Sequence, residues 1–130
     1  MDIYLDINGV LLTRDLQPAR HLGPFLDFVT KKHTCLWLTT HCRGDENRTL
    51  DVLGPALDAR GRMALGRILP TDWRTLKTEA ILWDRDFRWL DDTLLEAERS
   101  ELSRHLAMDR FIQVDLERDP DVLKNLMDRL

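Results

Sequence analysis

Cysteine is scarce in this chain. Cys35 and Cys42 are the only two among 130 residues, and two make no disulfide framework. A reduced, cytoplasmic protein is the expectation. No apolar run approaches the length of a transmembrane helix, so no membrane span is expected. The N-terminus has no basic region before its apolar residues, and Asp2 and Asp6 interrupt them, so a signal peptide is not expected. Positive charge is not in excess: 19 Lys and Arg stand against 23 Asp and Glu, for a net charge of −4. With no basic stripe, strong non-specific binding to nucleic acid is not expected; only a local basic patch would escape this reasoning. Repeats, low-complexity tracts and dividing linkers are also missing. A 43% apolar chain of this length reads as one domain, residues 1–130, with room for a core.

What is present centres on Ile3-Tyr4-Leu5-Asp6-Ile7-Asn8-Gly9. Its β-branched and aromatic apolar run predicts a buried central strand, continued to Ile7. The run delivers a carboxylate into a glycine turn, at the end of a strand where α/β sheets bind ligands. Taken alone, Asp6 and Asn8 would read as turn-opening Asx residues. Leu22, Phe25, Leu26 and Val29 recur at helical spacing, with Pro18 or Pro24 in the first turn and Lys31 and Lys32 in the last. Cys35-Leu36-Trp37-Leu38-Thr39 predicts a second strand ending in the polar loop Thr39 to Gly44. Asp45 is a cap candidate for the next helix, whose inner face is Leu50, Leu53 and Leu57 and which Gly54-Pro55 interrupts. Arg67 to Pro70 reads as a short edge strand and Lys77 to Trp83 as a short helix. Phe87 to Leu90 reads as a strand ending in Asp91-Asp92, Thr93 to Leu106 as a helix, and Phe111 to Val114 as a strand. Asp119-Pro120 supplies a cap and first turn for a C-terminal amphipathic helix with Val122, Leu123, Leu126, Met127 and Leu130 on one face.

Strands alternating with helices predict an α/β fold: a mainly parallel, doubly wound sheet, in three layers with helices on both faces. Such a sheet gathers strand C-termini at one edge. Three runs end there in polar residues: Asp6 with Asn8, Thr39 with Thr40, and Asp91 with Asp92. Lys77 opens a helix between the second and third. Separately, the acidic pair reads as helix caps, Lys77 as a solvated lysine and the threonines as strand ends. Together, three carboxylates repel one another unless a cation joins them, and hard oxygen ligands suit Mg²⁺. A hydroxyl and an ammonium complete a site for a phosphoryl group.

This order of parts resembles the haloacid dehalogenase-like (HAD) superfamily of hydrolases over most of the chain. Asp6-Ile7-Asn8-Gly9-Val10 looks like its first motif, Leu36-Trp37-Leu38-Thr39 the second, Lys77 the third and Trp89-Leu90-Asp91-Asp92 the fourth. Bacterial receiver domains share the chemistry but place the acidic pair first and the lysine last. The resemblance implies a Rossmann-like domain without a cap, acting on a phosphorylated small molecule or macromolecule. Asp6 is implied as the nucleophile, forming an aspartyl phosphate. Asp6, the backbone carbonyl of Asn8, Asp91 and Asp92 are implied as the Mg²⁺ ligands. Thr39, or Thr40, is implied as a donor to a phosphate oxygen, and Lys77 as its counter-charge.

Asn8 departs from the motif, which has an aspartate there as general acid and base. Asparagine can perform neither step. General acid-base catalysis contributes roughly 10²–10⁴-fold, so slow turnover of ordinary monoesters is expected. Three explanations are open: a substrate with a good leaving group, a substitute residue such as His41, or a domain that binds phosphate without turning over. Dehalogenation would leave the acidic pair unused. His33, Cys35, His41 and Cys42 lack zinc-site spacing. Trp37 and Trp89 read as core, and the mixed charges from Glu96 to Arg104 as a solvated helix face.

Overall fold

The computed structural model describes residues 1–42, 44 and 47–130. The cap expected of Asp45 lies outside those residues. Along the chain run β1 (Asp2–Leu5), α1 (Leu22–Lys32), β2 (Thr34–Trp37), α2 (Asn47–Leu53), α3 (Ala59–Leu65), β3 (Phe87–Asp91), α4 (Glu96–Arg104), β4 (Phe111–Gln113) and α5 (Val122–Met127). The four strands form one parallel sheet in the order β2-β1-β3-β4. The fold is α/β and compatible with a Rossmann-like arrangement. No helix among the described residues is long and apolar enough to cross a membrane.

The chain first moves from β1 to β2 on one side, then returns past β1 to β3 on the other. Strand order therefore reverses at β1, which leaves a crevice beyond the C-terminal ends of β1 and β3. Register fixes what meets there. Leu5 pairs with both Trp37 and Leu90, and the Asp6 amide donates to the Leu90 carbonyl at 3.1 Å. Asp6, just past β1, and Asp91, the last residue of β3, thus stand side by side at the sheet's C-terminal edge.

Side-chain alternation divides the core. Ile3, Leu5, Trp37 and Leu90 join one buried cluster with Phe25, Leu26 and Val29 of α1 and Leu123 and Leu126 of α5. Tyr4, Phe87 and Trp89 join a second with Leu102 of α4, Trp73 and Ile81. Trp37 and Trp89 are wholly buried, as core residues should be.

Several boundaries differ from the sequence reading. β1 stops at Leu5 rather than Ile7, because the Ile7 carbonyl accepts the amides of Val10, Leu11 and Leu12 and curls the chain. Arg67 to Pro70 is reduced to one parallel bridge, Leu69 against Leu36. Lys77 to Trp83 is a single 3₁₀ turn, Lys77–Ala80; its apolar residues are contiguous, not spaced for a helix face. α4 begins at Glu96, not Thr93. α5 begins at Val122, and the Asp119 carboxylate accepts the Asp121 amide outside the helix. α3 was not expected, although Asp58 caps it by accepting the Gly61 amide at 2.9 Å.

α4 ends in a Schellman motif. The Ala107 amide donates to the Leu102 carbonyl at 2.8 Å and the Leu106 amide to the Ser103 carbonyl at 3.0 Å. That places Leu106 at φ +55°, a left-handed conformation costly for a residue with a Cβ, while 90% exposed. Replacing Leu106 with Gly removes that strain and loses no packing. Urea unfolding of Leu106→Gly should give a stability gain of about 1 kcal/mol; an unchanged or lowered midpoint would contradict this account of the turn.

Candidate active site

Alternation along β1 and β3 sends Asp6 and Asp91 to the same side as Tyr4 and Trp89. Asp91 is 1% exposed and Asp6 7%. On that side the 3₁₀ turn holding Lys77 packs against α4. Lys77 Nζ lies 2.7 Å from Asp91 Oδ2 and 3.5 Å from Asp6 Oδ2. Its side chain is only 15% exposed. Carboxylate oxygens of Asp6, Asp91 and Asp92 all lie within 4.8 Å of one another. The four residues expected from the first, third and fourth motifs are therefore brought together.

Two carboxylates unforeseen as site residues position the lysine. Glu98, 3% exposed, accepts the Lys77 amide at 3.2 Å and the Leu95 amide at 3.0 Å. The mixed-charge run around it was expected to be solvated throughout; Glu98 is buried instead because two backbone amides need its oxygens. Glu79 accepts the amides of Arg74, Thr75 and Leu76, fixing the approach to the turn. Part of this was readable from spacing: Glu79 and Glu98 each stand three residues after one of the residues whose amides they take, Leu76 and Leu95.

The electrostatics follow from this crowding. Burial, then the charge of Asp6, pushes the Asp91 carboxyl up to about 6, against the pull of Lys77. Burial, then Asp91, raises Asp92 as well. Burial alone would lower Lys77; the charges of Asp6 and Asp91 outweigh it and hold the ammonium above its ordinary value. Asp91 also accepts the Thr93 amide at 3.2 Å, so it serves the turn as well as the cluster. Gly9, at φ +82°, lets the chain pass Asp92 closely; a Cβ there would overlap the Asp92 carboxylate.

The remaining candidates lie around this cluster. Asn8 Nδ2 donates to His41 Nε2 at 3.1 Å, which links the departing position to the proposed substitute. Burial, then the charge of Arg48, lowers the His41 pKa. Thr39 is wholly buried, its Oγ1 accepting the His41 amide at 3.3 Å, whereas Thr40 is exposed. Cys35 and Cys42 are both buried, and burial pushes the Cys35 thiol up to about 12.

No family model, curated protein or solved structure matches the chain.

A pH dependence follows. The Asp91 pKa is higher in the folded chain than its ordinary 3.8, so its contribution to stability is fully present below about pH 4 and is lost as pH rises through about 6. Lys77→Met removes the ammonium between two buried carboxylates. In metal-free buffer at about pH 7.5 it should cost roughly 3 kcal/mol. The cost should shrink near about pH 5, where Asp91 takes up a proton. Urea unfolding at both pH values checks this; an equal cost at both would contradict it.

Proposed function

We propose that the chain is a HAD-like phosphohydrolase that uses Mg²⁺ and an aspartyl-phosphate intermediate. The observation that carries the reading is the placement of Lys77 between Asp6 and Asp91, with Asp92 alongside. In this reading the domain is the three-layer, capless form, with the site open at the sheet edge.

The donor set fits the metal. Three carboxylates within reach of one another, with one ammonium, leave negative charge uncompensated. All the donors are hard oxygens, as Mg²⁺ prefers. Asp6, Asp91 and Asp92 would hold it with the backbone carbonyl of Asn8, which is indifferent to the change of side chain. When bound, Mg²⁺ supplies charge neutralisation at the transferring phosphoryl group.

The chain's own residues do the rest. Asp6 attacks phosphorus through a carboxylate oxygen and displaces the leaving oxygen; water then cleaves the acyl phosphate and frees Asp6. Lys77 balances the charge gathering on the phosphoryl oxygens and orients Asp6. Thr39 or Thr40 donates to a phosphoryl oxygen. With the Asn8 amide as donor, His41 Nε2 is an acceptor and carries no proton for a leaving group. That favours substrates whose leaving group departs unprotonated, namely acyl phosphates and anhydrides. The same asparagine supports the second reading, a phosphate-binding module of this fold that turns over little or nothing.

Kinetics in Mg²⁺ separate the readings. The chain should hydrolyse acetyl phosphate faster than an aryl or alkyl monoester. Asp6→Asn should abolish both activities, and Asn8→Asp should raise alkyl monoester hydrolysis by roughly 10²–10⁴-fold. Activity that survives Asp6→Asn would sink the nucleophile assignment. Silence towards every substrate, including in Asn8→Asp, would favour the binding module.

A further inference from the structure

A cavity of about 580 Å³ opens beside the acidic cluster, and Asp92 belongs to both. Gly9 and Thr93 line it next to Asp92. One wall is the segment 13–17, after β1; the other is 113–117, leaving β4. Both walls are built segments. The Thr13 amide donates to the Gln17 carbonyl at 2.8 Å and the Gln17 amide to Thr13 Oγ1 at 3.1 Å, closing the first. The Arg118 amide donates to Asp115 Oδ1 at 3.1 Å, and Gln113 Nε2 to the Asp92 carbonyl at 3.3 Å, holding the second. Arg14 and Glu117, 3.6 Å apart, tie one wall to the other.

The lining has a definite charge. It includes four carboxylates, Asp15, Asp92, Asp115 and Glu117, and one guanidinium, Arg14, which pairs with Glu117; with Asp92 given to the metal, Asp15 and Asp115 carry the cavity's own charge. A cleft of one sign concentrates ligands of the other and repels its own. Gln17 and Gln113 add amides able to hydrogen-bond a polar ligand.

We propose that this cavity receives the leaving half of the phosphorylated substrate and selects an ammonium-bearing group over a carboxylate-bearing one. The proposal rests on the phosphoryl-site reading given above. It deepens that reading by naming the substrate class: an acyl phosphate or anhydride whose organic part carries an amine and no second anionic group, for which a slowly hydrolysed phosphate monoester serves as a binding probe. Asp15 and Asp115 determine the preference. Neither lies in the Lys77 cluster, and Asn at 115 retains the Oδ1 that takes the Arg118 amide.

The test is a titration of the full chain, with Mg²⁺ present, followed by backbone amide NMR signals. The probes are phosphoethanolamine, 3-phosphoglycerate and inorganic phosphate. Phosphoethanolamine should bind roughly tenfold more tightly than 3-phosphoglycerate and shift amides within 13–17 and 113–117. In the double variant Asp15→Asn, Asp115→Asn the ratio should fall to about twofold, with affinity for inorganic phosphate unchanged. Equal or reversed preference, a ratio that survives in the variant, or shifts confined to other segments would overturn the proposal. Thermal stabilisation by Mg²⁺ with beryllium fluoride, a mimic of a phosphorylated aspartate, separates the two levels. Stabilisation without ester-induced shifts in these segments overturns the cavity assignment and leaves the phosphoryl site standing. Absence of both removes the site reading and the inference with it.

Discussion

Two parallel strands in register carry Asp6 and Asp91 out of the sheet side by side, and an ammonium has to stand between them. Buried Asp91 has too little water to remain charged cheaply, and the charge of Asp6 beside it adds to that cost. Lys77 lies within 3.5 Å of both and relieves part of that repulsion. It can do so only because its turn is fixed by the buried Glu98 on α4 and by Glu79 before it. Much of the face that carries Tyr4, Trp89 and Leu102 therefore serves to hold one side chain at one point. Asp92 adds a third carboxylate that a single lysine leaves unbalanced. Perturbed carboxylates gathered in this way are a frequent feature of functional sites.

Much of this was legible in the sequence because the signals were of the strongest kinds. The apolar runs at Ile3 to Leu5, Cys35 to Trp37 and Phe87 to Leu90 are short, β-rich and interrupted by helical spacing, so their burial and parallel pairing follow. Asp6 and Asp91 were identifiable because each follows such a run directly, and Asp92 because it stands next to Asp91. Lys77 was found by its order along the chain rather than by its surroundings. Its turn read as a helix because Ala80, Ile81 and Leu82 are apolar, and only the structure reveals the extended chain at Ile81. α3 was missed for the opposite reason: Ala59 to Leu65 contains two arginines and a glycine, and its weak apolar pattern hid the cap at Asp58. Glu98 was obscured by its neighbours, since a buried acid within a run of charges looks like one more solvated residue.

Asn8 unites the two open questions about the chemistry. As a side chain it cannot transfer a proton, and its amide is engaged with His41. As backbone it still offers a carbonyl beside Asp6. In the proposed hydrolase, such a position would keep a metal ligand while removing the help a poor leaving group needs. The cavity walled by segments 13–17 and 113–117 begins one residue beyond it, at Gly9, so in the proposed reaction substrate choice and leaving-group chemistry would meet at the same turn.

In the proposed reaction Asp6 itself becomes phosphorylated. Incubation with acetyl phosphate and Mg²⁺, rapid acid quench and borohydride reduction would convert an aspartyl phosphate to homoserine, which peptide mass spectrometry locates. The account predicts the conversion at Asp6 alone, dependent on Mg²⁺ and lost in Lys77→Met. Phosphoryl found on another residue, such as His41, or no conversion at Asp6 while acetyl phosphate is consumed, would contradict it.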